Sequence, residues 1–288
     1  MSEQQTVMIV GIGTELGLET AVQLKAAGHT VAGICPQEQT SAALRQQGWD
    51  VFTAPFEDVS PLVTVLSKVN PAVVINLSGQ LGNTLLHDGH DWSDVAQVAV
   101  RTQAVLKAVQ GLPTKTFLIH ASYAFLYGNG PTVDERSPLR PLSDDGVMQA
   151  GAQAEQLVAE NERVPFTILR LGYLYGPQSH DLSLYEFSFQ LQRPYYAGPQ
   201  THRAHYVHFS DAATALVRTA ERQPSGRIIN IVDGELASFG DFIDRYAKQL
   251  GRRKPSRISP TLVKFAPLLI TPQQVRMLEL TADSLTYN

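Results

Sequence analysis

The feature that most constrains this chain is an alternation, and its first cycle is VMIVGIGTELGLETAVQLKAAGHTVAGIC at residues 7–35. A β-rich run leads into three glycines, then a helical stretch, then a second β-run. Gly11 and Gly13 permit a tight turn and a close approach of the backbone to a pyrophosphate, and Gly17 lets the helix lie against the sheet. The helix opening at Thr14, Glu15 and Leu16 turns N–H groups toward an anion beside the loop. Glycine spacing alone is a weak sign. The strand before it and the helix after it are what favour a dinucleotide over a plain strand-to-helix turn.

The alternation continues for two-thirds of the chain. Strands are expected at 6–11, 30–35, 51–54, 72–79, 115–122, 166–172 and 227–233, with helical patterns between them. Short apolar strands alternating with helices predict a parallel sheet covered on both faces, a doubly wound Rossmann-type α/β fold. Gly28, Gly48 and Gly111 stand just past expected helix ends, where a left-handed cap is wanted. After Gly172 the rhythm breaks into an aromatic stretch punctuated by Gly-Pro. A helix capped by Ser210 or Asp211 follows, then a second amphipathic helix in SFGDFIDRYAKQLGRR. The expected division is therefore a nucleotide-binding domain over 1–172 and a smaller substrate lobe over 173–288. One helix and strand, about 210–233, return to the first domain.

Bulk properties narrow the partners. With 288 residues and a formal net charge of −4, the chain offers no basic surface for nucleic acid or an anionic membrane. Its N-terminus lacks a signal-peptide pattern, and no apolar run reaches transmembrane length. Cys35 is the only cysteine, consistent with a reducing compartment. A cytoplasmic location is the expectation.

Five further segments, in order, carry a family resemblance: INLSG (75–79), HASYAFLYGNGPTVDERSPLRP (120–141), LRLGYLYGP (169–177), HYVHFSDAATALV (205–217) and INIVDGELASFGDFIDRYAKQLGR (229–252). With the glycine loop, where Thr14 occupies the middle position of a G-x-x-G-x-x-G pattern, they resemble the extended short-chain dehydrogenases/reductases, the nucleotide-sugar epimerase and dehydratase group. The resemblance implies NAD or NADP as cofactor, with Leu77, Ser78 and Gly79 beneath its ribose.

In active members of that group a Tyr and a Lys stand four residues apart on one helix face, and the Lys lowers the Tyr pKa for proton exchange. Aligning Glu155 with the family's glutamate puts Val147 at the Tyr position and Gly151 at the Lys, and no Tyr-x-x-x-Lys occurs anywhere in the chain. The family's Ser/Thr falls on Ser122, or on Tyr123 with a one-residue shift, and its helix-ordering Asn falls on Val98. Where an NAD enzyme carries an acid for the adenosine ribose, this chain has Cys35-Pro36, with Glu38 a faint substitute and no arginine before Arg45. The pattern resembles the atypical branch of the superfamily, whose members keep the nucleotide fold without the catalytic pair.

The expectation is thus an atypical NAD(P)-binding protein that is regulatory or ligand-sensing. The alternative is an active oxidoreductase, epimerase or dehydratase on a nucleotide-sugar-like substrate, its acid moved to Tyr123, Tyr127 or a histidine of the 87–90 loop. A third reading is a structural subunit that binds no nucleotide. Tyr127, Tyr173, Tyr175 and His208 are expected near the cleft; a small-molecule or sugar-nucleotide ligand, a homodimer or a protein partner remain open. His202, His205 and His208 recur every third residue, which in a strand splits them between faces and argues against a metal. His87, Asp88, His90 and Asp91 read better as a solvated loop than as acid–base chemistry. No G-x-S-x-G elbow supports a serine hydrolase.

Overall fold

The computed structural model describes residues 3–79, 97–128, 133–141, 146–177, 182, 186, 189, 195–197, 203–234 and 236–258. In chain order its elements are β1 (Thr6–Val10), α1 (Glu15–Ala26), β2 (Thr30–Cys35), α2 (Glu38–Gln46), β3 (Asp50–Thr53), α3 (Val59–Val69), β4 (Val73–Asn76), α4 (Val98–Gln110), β5 (Phe117–Tyr123), a 3-10 turn (Ala124–Tyr127), α5 (Gly146–Ala159), β6 (Phe166–Leu171), β7 (Tyr173–Tyr175), β8 (Tyr195–Ala197), β9 (Arg203–His208), α6 (Phe209–Arg222), β10 (Arg227–Ile231), β11 (Leu236–Ser238), α7 (Phe239–Gln249) and β12 (Ser256–Ile258).

The seven expected strands form one parallel sheet in the order β10-β6-β5-β4-β1-β2-β3. Alternation along β1 explains its two-sided burial. Val7 and Ile9 join the core beneath α1 and α6, with Leu24 and Leu216. Met8 and Val10 join the opposite core beneath α3 and α4, with Leu66 and Val105. The strand order reverses between β1 and β4, which opens a crevice beyond their carboxyl ends, where doubly wound sheets bind ligands.

The second part of the chain adds a three-stranded sheet, β11-β9-β7, and the pair β12-β8. Two expected helix caps differ. Helix α6 begins at Phe209, not after Ser210 or Asp211, because β9 feeds straight into it and the His208 imidazole supplies the cap, Nδ1 accepting from the Ser210 N–H at 3.2 Å. Gly28 and Gly48 are left-handed as expected, but Gly111 keeps right-handed helical backbone at the end of α4.

Next to the crevice, Asn76 on β4 faces His120 on β5, both buried, with Asn76 Nδ2 3.2 Å from His120 Nδ1. Asn76 Oδ1 accepts from the Ser78 N–H (3.1 Å) and hydroxyl (2.6 Å), pinning the turn that leaves β4. Burial lowers the His120 pKa from 6.5 to about 4, so the imidazole stays neutral.

Two predictions follow from this frame. A Cβ at Gly17 would stand 2.4 Å from the Gly11 carbonyl oxygen, so Gly17→Ala should cost about 1–3 kcal/mol in urea denaturation. As pH falls from 6.5 toward about 4, the unfolded chain takes up a proton at His120 that the native state refuses, so stability drops through that window. Denaturation at stepped pH should show His120→Gln lacking a component of up to about 3 kcal/mol of that loss.

Candidate functional site

All seven strands of the main sheet point their carboxyl ends to one edge, and the glycine loop caps β1 there. Gly11 has φ of 96°, and a Cβ on it would meet the Leu77 carbonyl oxygen at 3.0 Å. Thr14 is the N-cap of α1: its hydroxyl donates to the Gly11 carbonyl (2.9 Å) and accepts from the Gly17 N–H (3.0 Å). Thr14 thus closes the turn with its own side chain. The N–H groups of Glu15 and Leu16, in the first turn, have no intrahelical acceptor and carry the positive end of the helix dipole to the crevice. Leu77 and Ser78 are buried at the opposite wall, and the Leu77 N–H donates to the Val10 carbonyl at 2.8 Å. A backbone cradle kept free of side chains beside a helix N-terminus fits a dinucleotide pyrophosphate.

At the carboxyl end of β2 the side chains are buried or paired. Cys35 is buried, its thiol against the Gly13 N–H and the Ser41 hydroxyl, and burial pushes its pKa up. Glu38 accepts from Thr53 and Arg45, and the Thr53 hydroxyl leads in holding its pKa down. Arg45 also donates to the Val51 carbonyl at 3.0 Å. Both charged groups serve the α2–β3 junction.

The inner face of helix α5 is apolar. Helix α5 has Met148, Ala150 and Ala154 buried, and a Cβ on Gly151 would lie 3.1 Å from Leu126 Cδ2. Val98 clusters with Ala99, Ala150 and Ala154 and sits so close to Gly79 that a Cβ there would be 1.9 Å from Val98 Cγ2. Val147 lies in the first turn of α5.

Behind this wall lies a buried polar network. Arg170 on β6 donates through Nε (3.0 Å) and Nη2 (2.7 Å) to Glu155 Oε2 on α5, and through Nη1 to the Tyr127 hydroxyl (2.6 Å). Tyr127 donates onward to Asn230 Oδ1 (3.0 Å), and Ser122 donates to Glu155 Oε1 (2.5 Å). Burial opposes the Arg170 charge, but the Glu155 carboxylate outweighs it and raises its pKa; burial also raises that of Tyr127. Ser122 and Tyr127 therefore point into the protein as struts. Tyr123, projecting from the other face of β5, stacks on Phe125 at 4.8 Å within a cluster holding Leu126 and Met148.

From Tyr123 the rings continue outward. Phe125 and Tyr173 lie 6.0 Å apart, Tyr173 and Tyr206 6.1 Å, Tyr206 and Phe242 4.7 Å, Phe242 and Tyr175 5.3 Å, and Tyr175 and His208 5.2 Å. The last four border a cavity of about 770 Å³ in the lobe, also lined by Asp233, Gly234, Glu186, Arg245 and Tyr246. Tyr175 donates to Asp233 Oδ2 at 2.9 Å, and burial pushes its pKa up to about 12, with Asp233 adding to the rise. Burial likewise raises Asp233, with Asp211 adding to it.

The structure places Tyr175 and His208 on this cavity, while Tyr173 bridges toward β5. Asp233 and Tyr206 are new; the Asp-Gly step after β10 and the alternation of HYVH signal them only in hindsight. His202 and the 87–91 loop lie outside the described residues, and no metal-binding cluster occurs among the described residues. Glu155→Gln should cost about 3–5 kcal/mol by guanidinium denaturation, because Arg170 keeps its charge and loses its counter-ion. Replacing both, Glu155→Leu with Arg170→Met, should cost less than that single change.

The model of the NAD dependent epimerase/dehydratase family matches residues 7–232. No curated protein matches the chain. Among solved structures, UDP-glucose 4-epimerase of Thermotoga maritima with UDP-glucose superposes with a TM-score of 0.79 at 16% identity, covering 98% of this chain and 90% of that one. The human epimerase family protein SDR39U1 with NADPH gives 0.76 at 18%, covering 97% and 90%. The dTDP-glucose 4,6-dehydratase of Bacillus anthracis with NAD gives 0.74 at 13%, covering 88% and 84%. Those identities speak for the fold, and the family match adds the lineage: the chain belongs to the NAD dependent epimerase/dehydratase family.

Proposed function

We propose that this protein binds NAD or NADP at the glycine loop and a second small ligand in the lobe, and acts as a regulatory or ligand-sensing member of its family. The observation that carries the reading is the apolar junction of α4 and α5, where Val98, Ala150, Ala154 and a bare Gly151 stand against Gly79 and Leu126. Bound NAD(P) supplies hydride chemistry, but hydride transfer to or from a hydroxyl carbon needs a partner that moves the hydroxyl proton. At this junction none of the side chains named can do so. The neighbours crystallised with NAD, NADPH and UDP-glucose support a dinucleotide in the crevice and make sugar nucleotides the first ligands to try. The residues that would hold the dinucleotide are the backbone of Gly11 to Gly17, closed by Thr14, with Leu77, Ser78 and Gly79 on the facing wall.

A second reading keeps turnover and uses Tyr123 as the acid, since its ring lies at the carboxyl end of β5 while Ser122 and Tyr127 are spent on the buried network. Calorimetric titration with NAD, NADH, NADP and NADPH, paired with product analysis on UDP-glucose, separates the readings. Binding of at least one dinucleotide is expected, with stabilisation of about 2.7 kcal/mol at a hundredfold excess over Kd, and no turnover. Turnover above about 1 s⁻¹, lost in Tyr123→Phe, would establish the second reading, and absence of any dinucleotide binding would remove both.

A further inference from the structure

We propose that Glu38 reads the adenosine ribose and makes this protein select NAD over NADP, with Arg45 committed to Glu38 itself. The inference deepens the proposed function by naming the cofactor form, and it rests on the reading of the glycine loop as a dinucleotide cradle. In folds of this kind an acid about twenty residues past the loop takes the ribose 2′-hydroxyl, whereas an arginine nearby accommodates a 2′-phosphate. Cys35 and Pro36, directly at the end of β2, offer neither group. Glu38 stands about twenty residues beyond Gly17 and opens α2.

Packing brings that first turn of α2 to the cradle. A Cβ on Gly13 would stand 2.9 Å from Thr40 Cγ2 and 3.0 Å from Cys35 Sγ, so the loop, the end of β2 and the start of α2 meet at one point. Cys35 is buried there, while the Glu38 side chain is 67% exposed. Its two oxygens are divided, Oε1 accepting from Arg45 Nη2 and Oε2 from the Thr53 hydroxyl. A carboxylate has about four acceptor sites, so lone pairs remain for a ribose diol. The Thr53 hydroxyl leads in holding the Glu38 pKa down, which keeps the acid charged in mildly acidic solution.

Arg45 is the competing group, since its charge is felt at Cys35. Its donors are already placed, Nη1 on the Val51 carbonyl at 3.0 Å and Nη2 on Glu38. A 2′-phosphate would have to draw Nη2 away from a carboxylate that Thr53 fixes from the other side. It would also set its own negative charge against that carboxylate, and like charges brought together cost affinity. The ribose diol of NAD needs no such exchange. The pair therefore admits the diol and turns the phosphate away.

The test is calorimetric titration of the full chain with NAD, NADP and the fragments 5′-AMP and 2′,5′-ADP, which differ in the 2′-phosphate alone. NAD should bind about tenfold or more tightly than NADP, and 5′-AMP should lead 2′,5′-ADP in the same way. Raising the salt should narrow both ratios, because an exposed carboxylate is readily screened. Glu38→Gln should close the gap chiefly by tightening NADP. Adding Arg45→Met to it should abolish that gain, because the released guanidinium carries it. NADP binding as tightly as NAD, or a preference unchanged in Glu38→Gln, would overturn the proposal. Should that variant not fold, the fragments decide on the unaltered chain: a ratio indifferent to salt puts the selection elsewhere and sinks the inference. Binding of no dinucleotide at all would instead remove the nucleotide reading, and this inference with it.

Discussion

The ion pair of Arg170 with Glu155 is the contact on which the rest of the site depends. It is 4% exposed on both side chains and joins β6 to α5, while its further hydrogen bonds reach β5 through Ser122, the 3-10 turn through Tyr127 and β10 through Asn230. A buried guanidinium is tolerable only when each donor finds an acceptor, so this one charge dictates the positions of several elements at once. It also decides which hydroxyls are available for other work. Ser122 and Tyr127 satisfy the pair and so cannot also face the crevice, while Tyr123 projects from the other face of β5 and stacks on Phe125.

That constraint gives the apolar surface of α5 its meaning. A helix anchored by Glu155 at one end must still pack its first two turns, and here it does so with Met148, Ala150 and Gly151 against Leu126 and Val98. A lysine at 151 would have to pass Leu126, and an asparagine at 98 would put an amide where Val98 now presses on Gly79. These apolar residues fit one another: Val98 presses on Gly79 and Gly151 leaves room for Leu126. A packed wall of this kind resists single polar substitutions, since one introduced polar group would be buried without a partner.

The main sheet was legible because its signal is local. Each of its strands is a short apolar run between helical patterns, and the crevice follows from the order in which a glycine loop and its crossover helix appear. The lobe was not. Strands β7, β9 and β11 are three to six residues long and meet across some sixty residues of chain, so no window of sequence contains their pairing. Thr14 as cap, His208 as helix cap and the choice between Ser122 and Tyr123 are likewise matters of which face a side chain turns to, and alternation along a strand reverses that with a one-residue shift.

The distribution of titratable groups then argues for a division of labour within the fold. Around the crevice the side chains are apolar or committed: Cys35 buried, Glu38 and Arg45 on each other, His120 neutral against Asn76. In the lobe Asp233, Tyr175 and Tyr206, each with its pKa raised by burial, ring a cavity. Six ring contacts, from Tyr123 to His208, span the distance between the two regions. Close-packed interiors are barely compressible and transmit strain. A nucleotide that shifts Tyr123 would therefore act on Tyr173 and Tyr206 together, and linkage requires that a lobe ligand act back on the nucleotide by the same factor.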